Sequence, residues 1–276
     1  MKTFAIKTNN NSIVQYLLNR IENMDLDNVY LSCKEFKIYT NIIIHYKGES
    51  INKFQEELTS AITDTILKFY KEYLIMKLVN FNYFYFDEYE KDLIIQNCYN
   101  IINSPEYEQL GKERVEIYKS VYEYVIENRT MILEGFINFR LKRYIEYLDN
   151  ILDIAVNKYI IEKEYKEFIS LLKIYINSRS PGTDFVYLIY FNSETTILDR
   201  NKNVISTEES MKNVKYLSDI SFSSNDLALN TLLTILPEKI EIHLLDKEDE
   251  FINTLKLIFE NRVHICSNTI RSWARF

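Results

Sequence analysis

Glycine and proline are nearly missing from this sequence, four of one and three of the other in 276 residues. The glycines fall singly at Gly48, Gly111, Gly135 and Gly182, so no glycine-rich loop exists to cradle a phosphate. The GxSxG, HExxH and dinucleotide-binding patterns are missing too. Few breakers mean long, uninterrupted elements, a freedom that helices use best. Cysteine is scarce as well. Cys33, Cys98 and Cys266 are an odd number, widely spaced, with no CxxC. This pattern fits thiols used as small apolar side chains in a reducing compartment.

Long hydrophobic runs are also lacking. The most apolar segment, Leu74 to Phe86, is interrupted by Lys77, Asn80 and Asn82 and is too short and polar to span a bilayer. The opening MKTFAIKTNNNS carries no sustained apolar stretch, so it does not read as a secretory signal. A cytosolic protein without membrane insertion is expected. Positive charge is in deficit, with a formal net charge of −7, which argues against a general nucleic-acid binder.

What is present is ordinary for a globular chain: 47% hydrophobic and 26% charged residues, with 22 tyrosines and 16 phenylalanines. Such a length buries a substantial core. Residues 2–8 alternate Phe4 and Ile6 against Lys and Thr, the period of a strand. A helical stripe follows at Ile13, Tyr16, Leu17, Ile21 and Met24. Val29, Leu31 and Cys33, then Phe36, Ile38, Thr40, Ile42 and Ile44, alternate either side of Lys34-Glu35 and predict a hairpin. The first 50 residues therefore read as β-α-β-β.

From 51 to 178 the chain reads as helix throughout. Phe54, Leu58, Ile62, Ile66, Phe69 and Tyr73 form one stripe. Asp87 and Glu90 match a capping box that opens a second helix, and Ser104-Pro105 an N-cap that opens a third. Ile137, Leu141, Tyr144, Leu148, Ile151 and Ala155 mark a fourth which, unbroken from 130 to 160, would be about 45 Å long. A fifth turns Tyr165, Phe168, Leu172, Tyr175 and Ile176 inward.

Ser180-Pro181-Gly182-Thr183 is the clearest punctuation, and a domain boundary is expected there. Beyond it come a hairpin around Asn192-Ser193-Glu194, a helix opened by Ser223 and Asp226, and a strand at 239–245. Asp246 is expected to cap a helix with Glu248, Asp249 and Glu250 in its first turn, and a strand at 263–266 follows. Strand, helix, strand implies a parallel pair. The expected fold is α+β: a β-α-β-β unit over 1–50, a helical region over 51–179, and a C-terminal α/β unit over 180–276. The first and last of these are candidates for one compact domain.

Three places carry candidate chemistry. Glu134 and Asn138 share a helix face, with Arg140 and Tyr144 on the next and Arg143 in the same stretch. They form a polar cluster suited to an anionic group or a partner's carboxylate, or to fixing helix packing. His243, His264 and Cys266 alternate onto one strand face and are zinc-type donors, but no ligand spacing supports them, so no metal is assigned. Arg271, Trp273 and Arg275 lie in a tail that, over 261–276, is basic and free of acids. Tryptophan between arginines suits an interface, or a terminus docked on its own core.

The stretch LEGFINFRLKRYIEYLDNILDIAV, followed by IEKEYKEFISLL, resembles the YtxC-like family of sporulation proteins of spore-forming Firmicutes. The resemblance is strongest from Leu133 to Leu172 and implies a role connected with sporulation. It brings no activity, cofactor or catalytic residue to carry over. The expectation is a non-enzymatic interaction or regulatory protein with a protein partner and no cofactor. A hydrolase or nuclease whose active site is not visible in the sequence is the alternative.

Overall fold

The computed structural model describes residues 1–105, 110–205, 223–245 and 247–266. It is an α+β protein that divides into two units, Met1–Ile161 and Glu162–Phe276.

The first unit opens with β1 (Lys2–Thr8), α1 (Asn11–Glu22), β2 (Val29–Glu35) and β3 (Thr40–Tyr46), the expected β-α-β-β. Asn10 starts α1 by accepting the Ser12 and Ile13 N–H groups on its side chain, which satisfies donors that a helix start leaves open. The antiparallel register pairs Phe4 with Ile44 and Ile6 with Ile42, four side chains with no exposed surface. The turn between β2 and β3 lies over 36–39, closed by the Phe36 N–H on the Tyr39 carbonyl at 2.9 Å. It is therefore not at Lys34-Glu35, which belong to β2.

Helices α2 (Ile51–Phe69), α3 (Lys71–Asn82), α4 (Glu88–Ile102) and α5 (Leu110–Glu127) follow. The Phe54–Tyr73 stripe is thus two helices, because the chain breaks at Tyr70. The Asp87–Glu90 capping box opens α4 as expected. Ser104 does not open α5. Its hydroxyl donates back to the Ile101 carbonyl at 2.9 Å, finishing α4, and residues 106–109 lie outside those described. Asp64 of α2 joins three helices, pairing with Arg20 of α1 at 2.5 Å and with Arg114 of α5.

Helix does not run unbroken from 51 to 178. Strand β4 (Thr130–Ile132) pairs in parallel with β1, Ile6 against Met131, giving the sheet order β2-β3-β1-β4. Next come α6 (Leu133–Arg140) and α7 (Lys142–Asn177). The expected fourth helix breaks at Leu141, and the expected fourth and fifth join as α7. The early part of α7 gives Tyr144, Leu148, Ile151, Leu152 and Ala155 to the first unit's core. Its later part gives Ile169 and Ile176 to the second's. Tyr165 and Phe168, expected inward, are 39% and 48% exposed, since the buried stripe runs through Ile169 instead.

The second unit holds β5 (Thr183–Phe191), β6 (Glu194–Leu198), α8 (Ser224–Ile235), β7 (Pro237–Leu244), α9 (Glu250–Phe259) and β8 (Val263–Cys266). The sheet order is β6-β5-β7-β8. The β5–β6 hairpin turns on Asn192 and Ser193, both at positive φ, and the other pairings are parallel. Ser223 and Asp226 form the expected capping box of α8. Asp246 lies outside the described residues, and Asp249 caps α9 by accepting the Ile252 N–H. Val186, Leu188, Ile240 and Ile242 fill one sheet face against α8 and α9. Among the described residues, no helix is long and apolar enough to cross a membrane.

Candidate functional site

The polar cluster that the sequence singles out divides into two places in the first unit. Helix α6 starts directly after β4, which brings Glu134 beside the end of β1. Its Oε1 accepts from the Thr8 hydroxyl at 2.7 Å and the Tyr70 hydroxyl at 3.0 Å. Asn138, one turn on, donates to the Glu134 carbonyl at 2.9 Å and accepts from Lys77 Nζ at 3.1 Å. Both line a hollow of about 300 Å³ with Asn9, Asn10, Tyr70 and Tyr73. Tyr70 is the single residue between α2 and α3, and burial with the neighbouring Glu134 carboxylate holds its phenol well above the ordinary value.

Arg140, Arg143 and Tyr144 lie around the break at Leu141. With Glu116, Lys119 and Glu123 they line a second hollow of about 540 Å³. Arg143 is 3.8 Å from Glu116, a loose exposed pair that contributes little. Tyr144 is buried, and desolvation, then the charge of Glu113, pushes its phenol far up. Glu113 is itself buried and paired with Lys71 at 3.1 Å. Adjacent residues at the α2–α3 junction thus reach two carboxylates, Tyr70 to Glu134 and Lys71 to Glu113. An anchored carboxylate of this kind fixes helix packing.

Gly135 has no crowded neighbour. A Cβ there would lie 3.8 Å from Ile132, its nearest contact, so neither the suspected close approach nor the helix break is at this residue.

On the second unit's sheet, alternation places Glu241 and His243 on the face opposite Ile240 and Ile242. The β7–β8 register sets Glu241 beside His264 and His243 beside Cys266. Cys266 Sγ donates to Glu241 Oε1 at 3.2 Å, and His243 Nε2 is 3.4 Å from the same oxygen. His243 and Cys266 therefore converge as the sequence suggests, with Glu241 standing where His264 was expected. Sequence alternation puts Glu241 on the His243 face, but a single strand carboxylate is a common surface residue and does not stand out as a donor. Only the pairing register reveals it. Arg271, Trp273 and Arg275 lie outside the described residues.

Four large aromatics also went unremarked in the sequence. Phe81 in the last turn of α3, Phe84 and Tyr85 on the α3–α4 connection, and Tyr89 in the first turn of α4 are 81, 74, 63 and 72% exposed. Beneath them Asn82 donates to Asp149 at 2.7 Å, the Tyr83 hydroxyl donates to Asp153, and Phe86 meets Tyr159 edge-on.

Fold and sites together define an α+β protein of two units, the first with Glu134 and Glu113 each held by a residue at the α2–α3 junction. The model of the YtxC-like family matches residues 56–264, more than half of the chain, and the protein belongs to that family. It is similar to a protein of Bacillus subtilis (strain 168) described as uncharacterized protein YtxC. The two are 24% identical over 198 residues, covering 69% of each chain. No solved structure matches.

Proposed function

We propose that this protein is a non-catalytic binding protein of a sporulation programme, working in the cytosol and holding a partner protein through the α3–α4 connection. The observation that carries the reading is the exposure of Phe81, Phe84, Tyr85 and Tyr89 within nine residues. Clustered rings in water mark interaction surfaces, where aromatics serve as anchors.

The connection is held in place before any partner arrives, by the Asp149 and Asp153 hydrogen bonds below it and the Asp87–Glu90 capping box after it. Preorganisation lowers the ordering cost of binding. Acidic residues crowd the same stretch of sequence. Asp87, Glu88, Glu90 and Asp92 outnumber Lys91, and burial and Asp153 hold the Asp149 carboxyl above its ordinary value. A partner segment with apolar side chains flanked by lysine or arginine complements this surface in shape and charge.

Support for a non-catalytic role comes from the polar cluster, since Glu134 and Asn138 are engaged by Thr8, Tyr70 and Lys77. The sporulation setting rests on the family resemblance of the 133–172 stretch.

The test compares the full-length protein with a Phe84→Ser, Tyr85→Ser variant. A partner captured from sporulating cells is purified and its affinity measured for both. The reading expects a loss of about 30-fold or more, the effect of removing ~2 kcal/mol of anchor contact, with unchanged thermal stability. Equal affinity for both proteins would refute it.

A further inference from the structure

The second unit offers a different chemistry, from residues that the proposed partner surface does not include. In β7, Glu241 and His243 are two residues apart and so point the same way. The parallel register then sets Cys266 of β8 across from His243. The carboxylate, imidazole and thiol meet with their ligand atoms all within 4.8 Å of one another. Tetrahedral zinc, with bonds of about 2.0–2.3 Å, needs its ligand atoms roughly 3.3–3.8 Å apart. Two of the three separations, 3.2 and 3.4 Å, already approach that spacing. The third, between His243 and Cys266, is no more than 4.8 Å.

We propose that Glu241, His243 and Cys266 bind one zinc ion, with the fourth position left to water or to a group from a ligand. The donor set selects the metal. A thiolate and an imidazole disfavour magnesium and calcium, which take oxygen ligands, whereas one sulfur, one nitrogen and one oxygen suit zinc. Burial helps, since His243 is only 7% exposed and the Tyr187 ring lies 5.7 Å from its own. Strand pairing fixes the backbone of all three residues, so little ordering cost remains for the metal.

Charge closes as well. The bound ion brings two positive charges. The Glu241 carboxylate supplies one negative charge, and Cys266 supplies the other on releasing its thiol proton to solvent. Without metal the same thiol donates its proton to Glu241, so loss of that one proton frees both the thiolate and the carboxylate for the ion. Lys239 lies on this sheet face but sits over the Phe185 ring, 5.7 Å from its centroid. His264, opposite Glu241, is exposed, and its imidazole is outside the group.

Cobalt(II) is the probe, because a thiolate ligand gives it a near-ultraviolet charge-transfer band and tetrahedral coordination gives visible bands. Tag-free, chelator-treated full-length protein is titrated with cobalt alone and then with zinc. The site predicts saturation at one equivalent, a thiolate band, and its loss on adding one equivalent of zinc. Cys266→Ser removes the band. Cys33→Ser and His264→Ala retain it, and Glu241→Gln weakens cobalt binding at least tenfold. Thermal unfolding without metal shows that each variant folds, and zinc raises the melting temperature of the parent but not of Cys266→Ser. A parent protein without the band, a band that survives Cys266→Ser, or one lost in His264→Ala overturns the assignment.

Discussion

Thr8, the last residue of β1, donates a 2.7 Å hydrogen bond to the carboxylate of Glu134, 126 positions further along the chain. Thr8 is 1% exposed, and the Tyr70 hydroxyl reaches the same oxygen. One side chain thus ties β1, α6 and the α2–α3 junction. Glu134→Ala leaves two buried hydroxyls without their acceptor and is expected to cost about 2–3 kcal/mol. Glu134→Gln keeps an accepting oxygen and costs about 1 kcal/mol. Urea unfolding checks both, as a lower midpoint at constant slope.

Alkaline pH probes the buried phenols. Burial and the neighbouring carboxylates raise the folded-state values of Tyr70 and Tyr144 above the ordinary one. The sign follows from linkage. Their contribution is complete below an unfolded value of about 10 and is lost as pH rises beyond it. Stability is expected to fall above about pH 10, by up to ~1.4 kcal/mol per pH unit for each phenol. Tyr144→Phe has a shallower alkaline slope in denaturation midpoints taken across that range.

Thiol reactivity separates two of the cysteines. Cys98 is 1% exposed and burial pushes its thiol up to about 12, whereas Cys33 is exposed. A disulfide-exchange reagent near pH 8 is expected to label Cys33 promptly and Cys98 only on unfolding. Peptide mapping of labelled native protein makes the check.

Two glycines predict opposite outcomes. The Gly182 N–H donates to the Leu236 carbonyl at 3.1 Å, and an added Cβ would come within 2.7 Å of the Ile235 oxygen. Backbone cannot yield as a side chain does, so Gly182→Ala is expected to destabilise the second unit by about 1–3 kcal/mol. Gly135 is helical and uncrowded, so Gly135→Ala stabilises the first unit by up to ~1 kcal/mol. Hydrogen exchange of β5 and β7 amides, against those of β1 and β3, assigns each effect to its unit.

Alternation and helical stripes were enough to read both sheet-forming regions, and capping residues marked the starts of α4 and α8. Strand β4 escaped because three residues show no period. The break at Leu141 escaped because Ile137, Leu141 and Tyr144 keep a helical step across it, and no glycine or proline marks the spot. The division of the polar cluster follows from that same break, which directs Glu134 toward β1 and Tyr144 toward α5. Cys266 and His243 were legible as strand-face donors, whereas Glu241 needed the register between β7 and β8. The exposed rings at and around the α3–α4 connection were hidden by composition, since aromatic residues are common throughout and sequence alone does not tell a buried ring from a bare one.

The pairing of β1 with β4 also sets a timetable. The first strand meets Thr130–Ile132 on one edge, but those residues leave the ribosome long after it does. At about 5–20 residues per second, roughly 6–25 s pass with that edge uncovered. An unpaired strand is a template for another chain, and the pair Lys2 and Lys7 on β1 puts charge where such contact would begin. The emerging chain is thus most vulnerable to self-association before Thr130–Ile132 have been made. Chaperone dependence is expected to fall once β4 is in place.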